Sequence, residues 1–575
     1  MERIIMKKYY IIGAVLIAAA AVYFFFFLKK DQSGKMVIPY IAHQPPQVDP
    51  HLPHSVSLSD KLDEVLFDGL FNIAATPSGI VYEDGLGEFI SIDQRDVVTI
   101  RIKPQKKWHD SYFVSREDDD IKIEAKDDRY FNAEDLRFTL RRIERLGSRS
   151  PDYILLAQAI DNFDFEGPDR NNEIRFRFRS DRAWIESDIK EILSFKIIPG
   201  QSGDNQMQFR TGSGPYLTVD ASTYHSQPGD ETEIPLLRLE PFIDNSTFTT
   251  ELNNNNINIL LDTPFGSISP ILSDSGSFFT KSNISSTFFA ILFNTSRLNL
   301  EQRRQLRLFF NNRLILNRFF KRGSEQQRHI VDYRDKRDNY DDYLNYSIFP
   351  SSTIYIDEEI VIPQKVSDTP DMSILPDSII VRACLNFGYR EEYRDIIEIL
   401  KDPAVSKNRL RVSAFSNEDI KRGNYDALLL AFTGYRSNYL FDMYDIFFRE
   451  PDLATYRINL KTVTNNSGRR EVDLQSYDPN RNFFRLNLQN SPESEIISRM
   501  LNDIYGFMSS SEIYDKHVYA QRIDEAEHEL ALGAWMFSLP SLAYFSTQFD
   551  EKSIDLYGKA SQLSTIEKWR ERKDN

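Results

Sequence analysis

The chain has 575 residues, of which 41% are hydrophobic and 27% charged, the balance of a globular protein that buries a core rather than of a disordered one. Asp and Glu number 86 against 70 Lys and Arg, a formal net charge of −16, and no basic tail or stripe stands out, so nucleic acid is excluded as a partner. The single cysteine, Cys384, excludes an internal disulfide framework, a cysteine-based zinc site and an iron–sulfur cluster. At roughly 100–200 residues per domain, the length corresponds to two to four domains.

In chain order, the first element is an uncharged run of 20 residues from Tyr9 to Leu28. At about 1.5 Å per residue it is long enough to cross a hydrocarbon core of about 30 Å. Arg3, Lys7 and Lys8 precede it and Lys29 and Lys30 follow it. The leading charges favour residues 1–8 in the cytoplasm, and the trailing pair counts against that orientation. Ala18-Ala19-Ala20 offers a cleavage site, but the mature chain would then begin close to four phenylalanines, so an uncleaved anchor is the favoured expectation over a cleaved signal. Residues 29–36 form a polar tether. A strand is expected over Val37–Ala42. Pro45, Pro46, Pro50 and Pro53 then impose a loop, because each fixes φ and removes a donor.

Leu58 to Leu70 has the 3.6-residue period of an amphipathic helix. Val97 to Ile102 alternates as a strand. Asn132 and Asp135 form a capping arrangement for a helix that runs to Leu146 and stops at Gly147. Ile174 to Phe178 alternates as a half-buried strand, and Gly212 with Gly214-Pro215 marks a turn before the strand Tyr216–Val219. Asn299 and Gln302 cap one long helix to about Phe320, closed by Gly323. Ile379–Leu385, Leu410–Phe415 and Tyr425–Phe432 read as strands and Tyr389–Leu400 as a helix, the alternation of an α/β unit. Ser115 to Asp128 holds seven acids and three bases, a solvated loop or hairpin. It lacks the central glycine of a calcium loop.

Catalytic signatures are absent: there is no His-Glu-x-x-His, Walker loop, Gly-x-Ser-x-Gly or Gly-x-Gly-x-x-Gly. Cys384 sits in an apolar strand and reads as a buried structural residue. His43, His51 and His54 share the proline-rich loop. Histidines lining a cleft or the surface are the expectation there, rather than a metal centre. A binding protein, with no enzymatic activity and no cofactor, is therefore the expectation.

Taken together and in order, several segments resemble the family 5 solute-binding proteins, the oligopeptide, dipeptide and nickel receptors of bacterial ABC importers. The resemblance covers most of the chain after residue 36. Val48-Asp49-Pro50 resembles that family's Leu-Asp-Pro. Val65-Leu66-Phe67-Asp68-Gly69-Leu70 resembles its helix ending in Glu-Gly-Leu. Trp108-His109-Asp110 resembles its Trp-His-Asp-Gly, with Ser111 in place of the glycine. Asn132-Ala133-Glu134-Asp135-Leu136 resembles Thr-Ala-Glu-Asp-Val, and Thr211-Gly212-Ser213-Gly214-Pro215-Tyr216 resembles Gly-Thr-Gly-Pro-Tyr. Phe293-Asn294-Thr295, Arg304-Gln305-Leu306 and Asn312-Arg313-Leu314-Ile315 follow the family's order, and Tyr425-Asp426-Ala427-Leu428 resembles the strand before its ligand loop.

The resemblance implies an α/β fold of the two-lobed periplasmic-binding-protein kind (type II, the large peptide-binding class), with central mixed sheets and a hinge, preceded here by one transmembrane helix. Lobe I would comprise residues 37–287, with an extra subdomain at about 57–180, and residues 531–575 returning to it. Lobe II would comprise 288–530. The implied function is extracytoplasmic binding of a peptide or similar small solute in an inter-lobe cleft, with delivery to the permease subunits of an ABC transporter. The implied location is the periplasmic or extracytoplasmic side of a bacterial envelope, anchored in the inner membrane by residues 9–28. The ligand-binding residues carried over are His54, Ser55 and Val56 from lobe I and Phe432, Thr433, Tyr435 and Arg436 from lobe II. In peptide-binding members the ligand loop carries an acid that pairs with the peptide's amino group. Here that position is Tyr435, with Arg436 beside it, so capture of a free ammonium is not expected. A degenerate, membrane-tethered relative with a structural or protein-interaction role in the envelope is the alternative.

Overall fold

The computed structural model describes residues 34–573 except 43–45, 53–56, 77–78, 118–119, 180–183, 185, 201–210, 230–231, 243–255, 262–276, 326–342, 346, 350–368, 384–389, 434–445, 449–459, 466–469, 489–490, 511–512 and 555–562. The expected membrane span and Cys384 lie outside the described residues. Among those residues no helix is long and apolar enough to cross a membrane.

The first part of the chain contributes β1 (Lys35–Ile41), α1 (Ser57–Leu66), β2 (Phe71–Thr76), β3 (Gly79–Asp84), β4 (Gly87–Ile92), β5 (Val97–Ile102), β6 (Tyr112–Glu117), β7 (Asp120–Ala125), α2 (Ala133–Leu146), α3 (Pro151–Ala159), β8 (Glu173–Arg177), α4 (Glu186–Ile192), β9 (Tyr216–Thr218), β10 (Thr223–Ser226), β11 (Leu236–Phe242) and β12 (Ile259–Leu261). The rest contributes β13 (Phe278–Phe293), α5 (Leu300–Phe309), α6 (Asn312–Glu325), β14 (Ile379–Ala383), α7 (Arg390–Lys401), α8 (Pro403–Ser406), β15 (Leu410–Ala414), α9 (Asn417–Arg422), β16 (Ala427–Thr433), β17 (Thr462–Thr464), β18 (Arg470–Val472), α10 (Ser494–Ser509), α11 (Ile513–Leu530) and β19 (Gly533–Ser546).

The largest sheet has the order β12-β19-β13-β16-β14-β15. Its spine is the antiparallel ribbon β13–β19, which runs from Phe278 opposite Ser546 to Leu292 opposite Gly533. Side chains of a strand alternate between faces. Phe288, Ala290 and Leu292 enter one core with Trp535, and Phe289, Ile291 and Phe293 enter another with Met536 and Phe537. Burial on both faces explains why this strand end is an unbroken apolar run. β14 pairs parallel with both β15 and β16, and parallel neighbours require crossover helices. α7 is one crossover; it packs Ile396, Ile397, Ile399 and Leu400 on the sheet.

The other end of the ribbon belongs to a different core. Ala543 and Phe545 pack with Met36, Ile38, Leu62, Val65, Leu66, Tyr216, Leu237 and, from the C-terminal segment, Trp569. The Trp569 ring meets Phe545 edge-on at 5.3 Å. β1, β11, β10 and β9 form a four-stranded sheet over this core. Asn258 joins that sheet to β12: its amide accepts from Val37 N at 2.7 Å and donates to Lys35 O at 2.7 Å. A further core surrounds β4-β5-β8 and helices α2, α3 and α4, with Trp108, Phe131, Leu136, Ile143 and Phe176 inside it.

The strand expected at Val97–Ile102 shows the burial alternation that its pattern implies. The capping box at Asn132 is present, with Gly147 as the C-cap. The acidic segment is the hairpin β6–β7. Two helices differ from expectation. The first ends at Leu66, after which Gly69 pairs instead with Lys196. The helix opened by the Asn299–Gln302 box stops at Phe309, and a second starts at Asn312 and continues past Gly323. The Asn311 side chain accepts from Leu314 N at 2.9 Å, a new N-cap that restarts the helix.

Candidate functional site

Two segments are expected to line the cleft: residues 54–56, and residues 432–436 at the end of β16 and just beyond it. The structure shows what holds each. Residues 53–56 lie outside the described residues, but both of their flanks are tied down. On the N-terminal side, Arg142 of α2 donates to Asp49 Oδ2 at 2.8 Å and to His51 Nδ1 at 2.6 Å. A guanidinium only donates. His51 Nδ1 must therefore accept, which leaves Nε2–H to donate to Lys196 O at 2.7 Å. The imidazole is neutral with both nitrogens engaged, so His51 is not a metal ligand. Burial holds its pKa below the ordinary value, and the Arg142 charge acts in the same direction against Asp152 and Asp49. On the C-terminal side, Ser59 Oγ, within α1, accepts from Gln47 N at 2.9 Å. Lys196 closes the arrangement with a bond to Glu64 Oε2 at 2.7 Å.

The far end of α1 rests on the glycine turn. A Cβ on Gly212 would lie 1.8 Å from Leu66 O, and one on Gly214 would lie 2.5 Å from Val65 O. No side chain larger than hydrogen fits, and Gly214 N uses the approach to donate to Leu66 O at 3.0 Å. His109 braces the same turn. Its Nδ1 accepts from Gly212 N at 3.1 Å and its Nε2 donates to Gly214 O at 2.9 Å. Burial pushes its pKa down to about 4, against the hydrogen bond to Gly214, so this imidazole too is neutral. Trp108 donates to Asp135 Oδ2 at 3.2 Å, and Asp135 Oδ1 accepts from Gly200 N at 2.8 Å. The Trp-His-Asp, Asn-x-x-Asp and Gly-x-Gly-Pro segments are thus one scaffold beneath α1.

β16 is held at its start by a second network. Asn294 donates to Tyr425 O at 2.9 Å and to Gly423 O at 3.2 Å, while Asn294 N donates to Asp426 O at 3.0 Å. Asp426 accepts from Arg297 Nε at 2.6 Å and from Ile380 N at 2.8 Å. Tyr425 donates from its hydroxyl to Phe483 O at 2.6 Å, and burial pushes its pKa up to about 12. From this clamp β16 runs antiparallel to β13 and ends with Phe432 opposite Phe288 and Thr433 opposite Thr287. At that point the β13–β19 ribbon breaks register between Ile284 and Phe288: Ile284 faces Pro540 and Phe288 faces Ser538. Such a bulge re-aims a strand and increases its local twist. Ser538 is buried there and exchanges hydrogen bonds with Asn345, at 3.1 and 3.3 Å.

Of the expected ligand-binding residues, the structure places the backbones of Phe432 and Thr433 beside this break. His54, Ser55, Val56, Tyr435 and Arg436 lie outside the described residues. Among the described residues there is no cluster of His, Cys, Asp and Glu that could hold a metal ion. The supporting residue that the sequence reading missed is Arg142. It lies in the basic run Arg137, Arg141, Arg142 and Arg145, which reads as a solvated helix face. The signal was its spacing: Asp135, Thr139 and Arg142 form a stripe at i, i+4 and i+7, and all three are buried.

No family model and no curated protein matches the chain by sequence. Solved structures match it along nearly its whole length. The oligopeptide-binding protein AppA from Bacillus subtilis, in complex with a nonapeptide, is 13% identical with a TM-score of 0.56, over 95% of this chain and 100% of its own. NikA from Brucella suis, in complex with Fe(III)-EDTA, is 12% identical with a TM-score of 0.61, over 94% and 100%. NikZ from Campylobacter jejuni, in complex with Ni(L-His), is 13% identical with a TM-score of 0.53, over 93% and 99%. At such identities the likeness is one of fold, and it is the fold that the ordered motifs imply: this chain has the mixed α/β periplasmic-binding-protein architecture of the family 5 solute-binding proteins.

Proposed function

We propose that the protein is an extracytoplasmic solute-binding protein of an ABC import system, which traps a peptide or similar small solute between two lobes and presents it to a permease. The observation that carries this reading is the β13–β19 ribbon. It is one continuous pair of strands with its two ends in different cores, and its register breaks between them. A bulged ribbon joining two separately packed bodies is a hinge, and hinge closure buries whatever lies between them. The whole-length likeness of fold to proteins solved with a nonapeptide, a metal chelate and a nickel complex supports the same reading. Lobe I is residues 37–287 with 531–575 returning to it, and lobe II is 288–530; the first crossing lies inside β13. Residues 9–28 are an uncleaved anchor that keeps the body on the outer face of the inner membrane. Neither lobe carries catalytic work.

His54, Ser55 and Val56 meet the solute from lobe I, and Phe432, Thr433, Tyr435 and Arg436 meet it from lobe II. The pinned flanks at Asp49, His51 and Ser59, and the Asn294–Asp426 clamp below β16, are what an accurate binding surface requires of its supports. Native mass spectrometry of the full chain released from detergent tests the reading. A retained small molecule, lost on partial unfolding and regained from cell extract with a rise in thermal midpoint, is the expected result. A chain that retains nothing and is stabilised by no peptide or metabolite fraction sinks it.

A further inference from the structure

Besides the ribbon, the two halves of the molecule meet through a pair of charges. Lys516 Nζ on α11 lies 3.8 Å from Asp188 Oδ2 on α4, and the side chains are 1% and 3% exposed. The two helices are anchored in different cores. α4 buries Ile189 and Ile192 with the β4-β5-β8 sheet, whereas α11 buries Ala520, Ile523 and Ala526 with Trp535 and Phe288. The ring of Phe507, on α10, lies 5.5 Å from the ammonium. Both side chains are buried where α4 and α11 meet.

We propose that Asp188 and Lys516 form a clasp that regulates the cleft, an inter-lobe ion pair that permits closure of the solute-free protein yet lets it open. The proposal rests on the solute-binding reading above, in which the halves part about the ribbon. Burying two opposite charges together costs desolvation that their attraction roughly offsets, so such a pair adds little net stability. That balance suits a contact that must break and reform, because both groups regain water when the halves part. An apolar pair at the same place would favour closure alone. Removing one charge has an asymmetric effect: the remaining one stays buried against less opposing charge when closed, but is solvated when open. Single substitutions therefore shift the conformational balance and leave the packing of each half intact.

The test uses the full chain in detergent, without added solute, with Cys384→Ser and spin labels at Glu144→Cys on α2 and Glu525→Cys on α11. Pulsed dipolar spectroscopy reads the distance between halves. Asp188→Asn and Lys516→Gln should each raise the ratio of long to short distances by roughly tenfold or more. The charge exchange Asp188→Lys with Lys516→Asp should restore the short distances. Hydrogen exchange in the β5 and β14 cores should be unchanged throughout. Unaltered distances in both single variants, or failure of the exchange to recover closure, overturn the clasp; should a single variant not fold, the exchange variant alone decides. A protein that opens in these variants but retains no solute keeps the clasp and loses the solute-binding reading. Solute binding with unaltered distances does the reverse.

Discussion

Arg142 and Asp49 are 93 residues apart in the chain and bonded at 2.8 Å in the interior, with their side chains 6% and 11% exposed. The pair fixes the proline-rich loop to α2 just ahead of the segment assigned to the solute. Breaking a buried pair by removing one partner typically costs about 3–5 kcal/mol. Arg142→Ala should therefore lower unfolding stability by that order. Arg142→Lys should recover only part of it, since an ammonium cannot reach Asp49 and His51 with the same fork. Denaturant unfolding gives the cost, and faster amide exchange over residues 46–52 in Arg142→Lys would show that the loop is what it holds.

The glycine turn gives a steric prediction. Gly214→Ala places a methyl 2.5 Å from Val65 O, and Gly212→Ala places one 1.8 Å from Leu66 O. Either must displace α1, a loss of roughly 2–4 kcal/mol of the kind seen when packed backbone is forced apart. Gly229→Ala is the control: its φ is +98° but nothing lies within 4 Å. It should cost only about 1–2 kcal/mol of backbone strain. Equal thermal shifts for Gly229→Ala and Gly214→Ala would show that the contact with α1 is not what matters.

Two buried groups titrate in opposite senses. His109 has its pKa lowered from 6.5 to about 4 in the fold, so the unfolded chain takes up the proton first. Its contribution is complete above pH 6.5 and is lost as pH falls toward 4, up to about 3 kcal/mol. His51 acts in the same direction. Asp524, buried and bonded to Ser347, has its carboxyl pushed by burial from 3.8 up to about 6. Its contribution is present below pH 3.8 and is lost as pH rises through 6. Asp524→Asn should then raise stability at pH 7 by about 1–3 kcal/mol and leave it unchanged near pH 4. His109→Gln should lower stability at pH 7 and weaken its decline between pH 6.5 and 4. Unfolding curves across pH 4–8 check both.

If Arg436 faces the solute as proposed, the site has a cation where peptide receptors hold an acid. Ligands with a free carboxylate or a blocked amino end should bind better than those with a free ammonium. Arg436→Ala should cost about 1.5–3 kcal/mol, the range for a hydrogen bond to a charged group. Calorimetry with matched free and N-acetylated peptides decides this, and equal affinities for both would remove Arg436 from the solute's surroundings.

The anchor is checked on the mature protein itself. Sequencing from the N-terminus of material taken from membranes should begin within residues 1–8. A start at or after residue 21 would establish cleavage instead.

Local signals in the sequence were enough for the capped helix at Asn132, the alternating strand at Val97–Ile102 and the acidic hairpin, because caps, turns and half-buried strands are specified within a few residues. The order of weak motifs carried the fold class as well. The break at Phe310–Asn311 went unread, since an asparagine cap inside an apolar period is outweighed by the period. The long strands β13 and β19 also escaped. Each is buried on both faces at one end, so it loses the alternation that marks a strand, and they are partners far apart in the chain. What only the tertiary structure decided is the use of the charged and glycine residues. The spacing from Asp135 and Thr139 marks Arg142, but nothing local joins it to Asp49, or Asp188 to Lys516, because a buried charge is explained only by the group it meets, and those groups lie 93 and 328 positions away. The glycines likewise read as turn formers, whereas their function is to let α1 approach closer than any Cβ allows. Short-range geometry is written in neighbouring residues, but compensation of charge and exclusion of volume are properties of the packed chain.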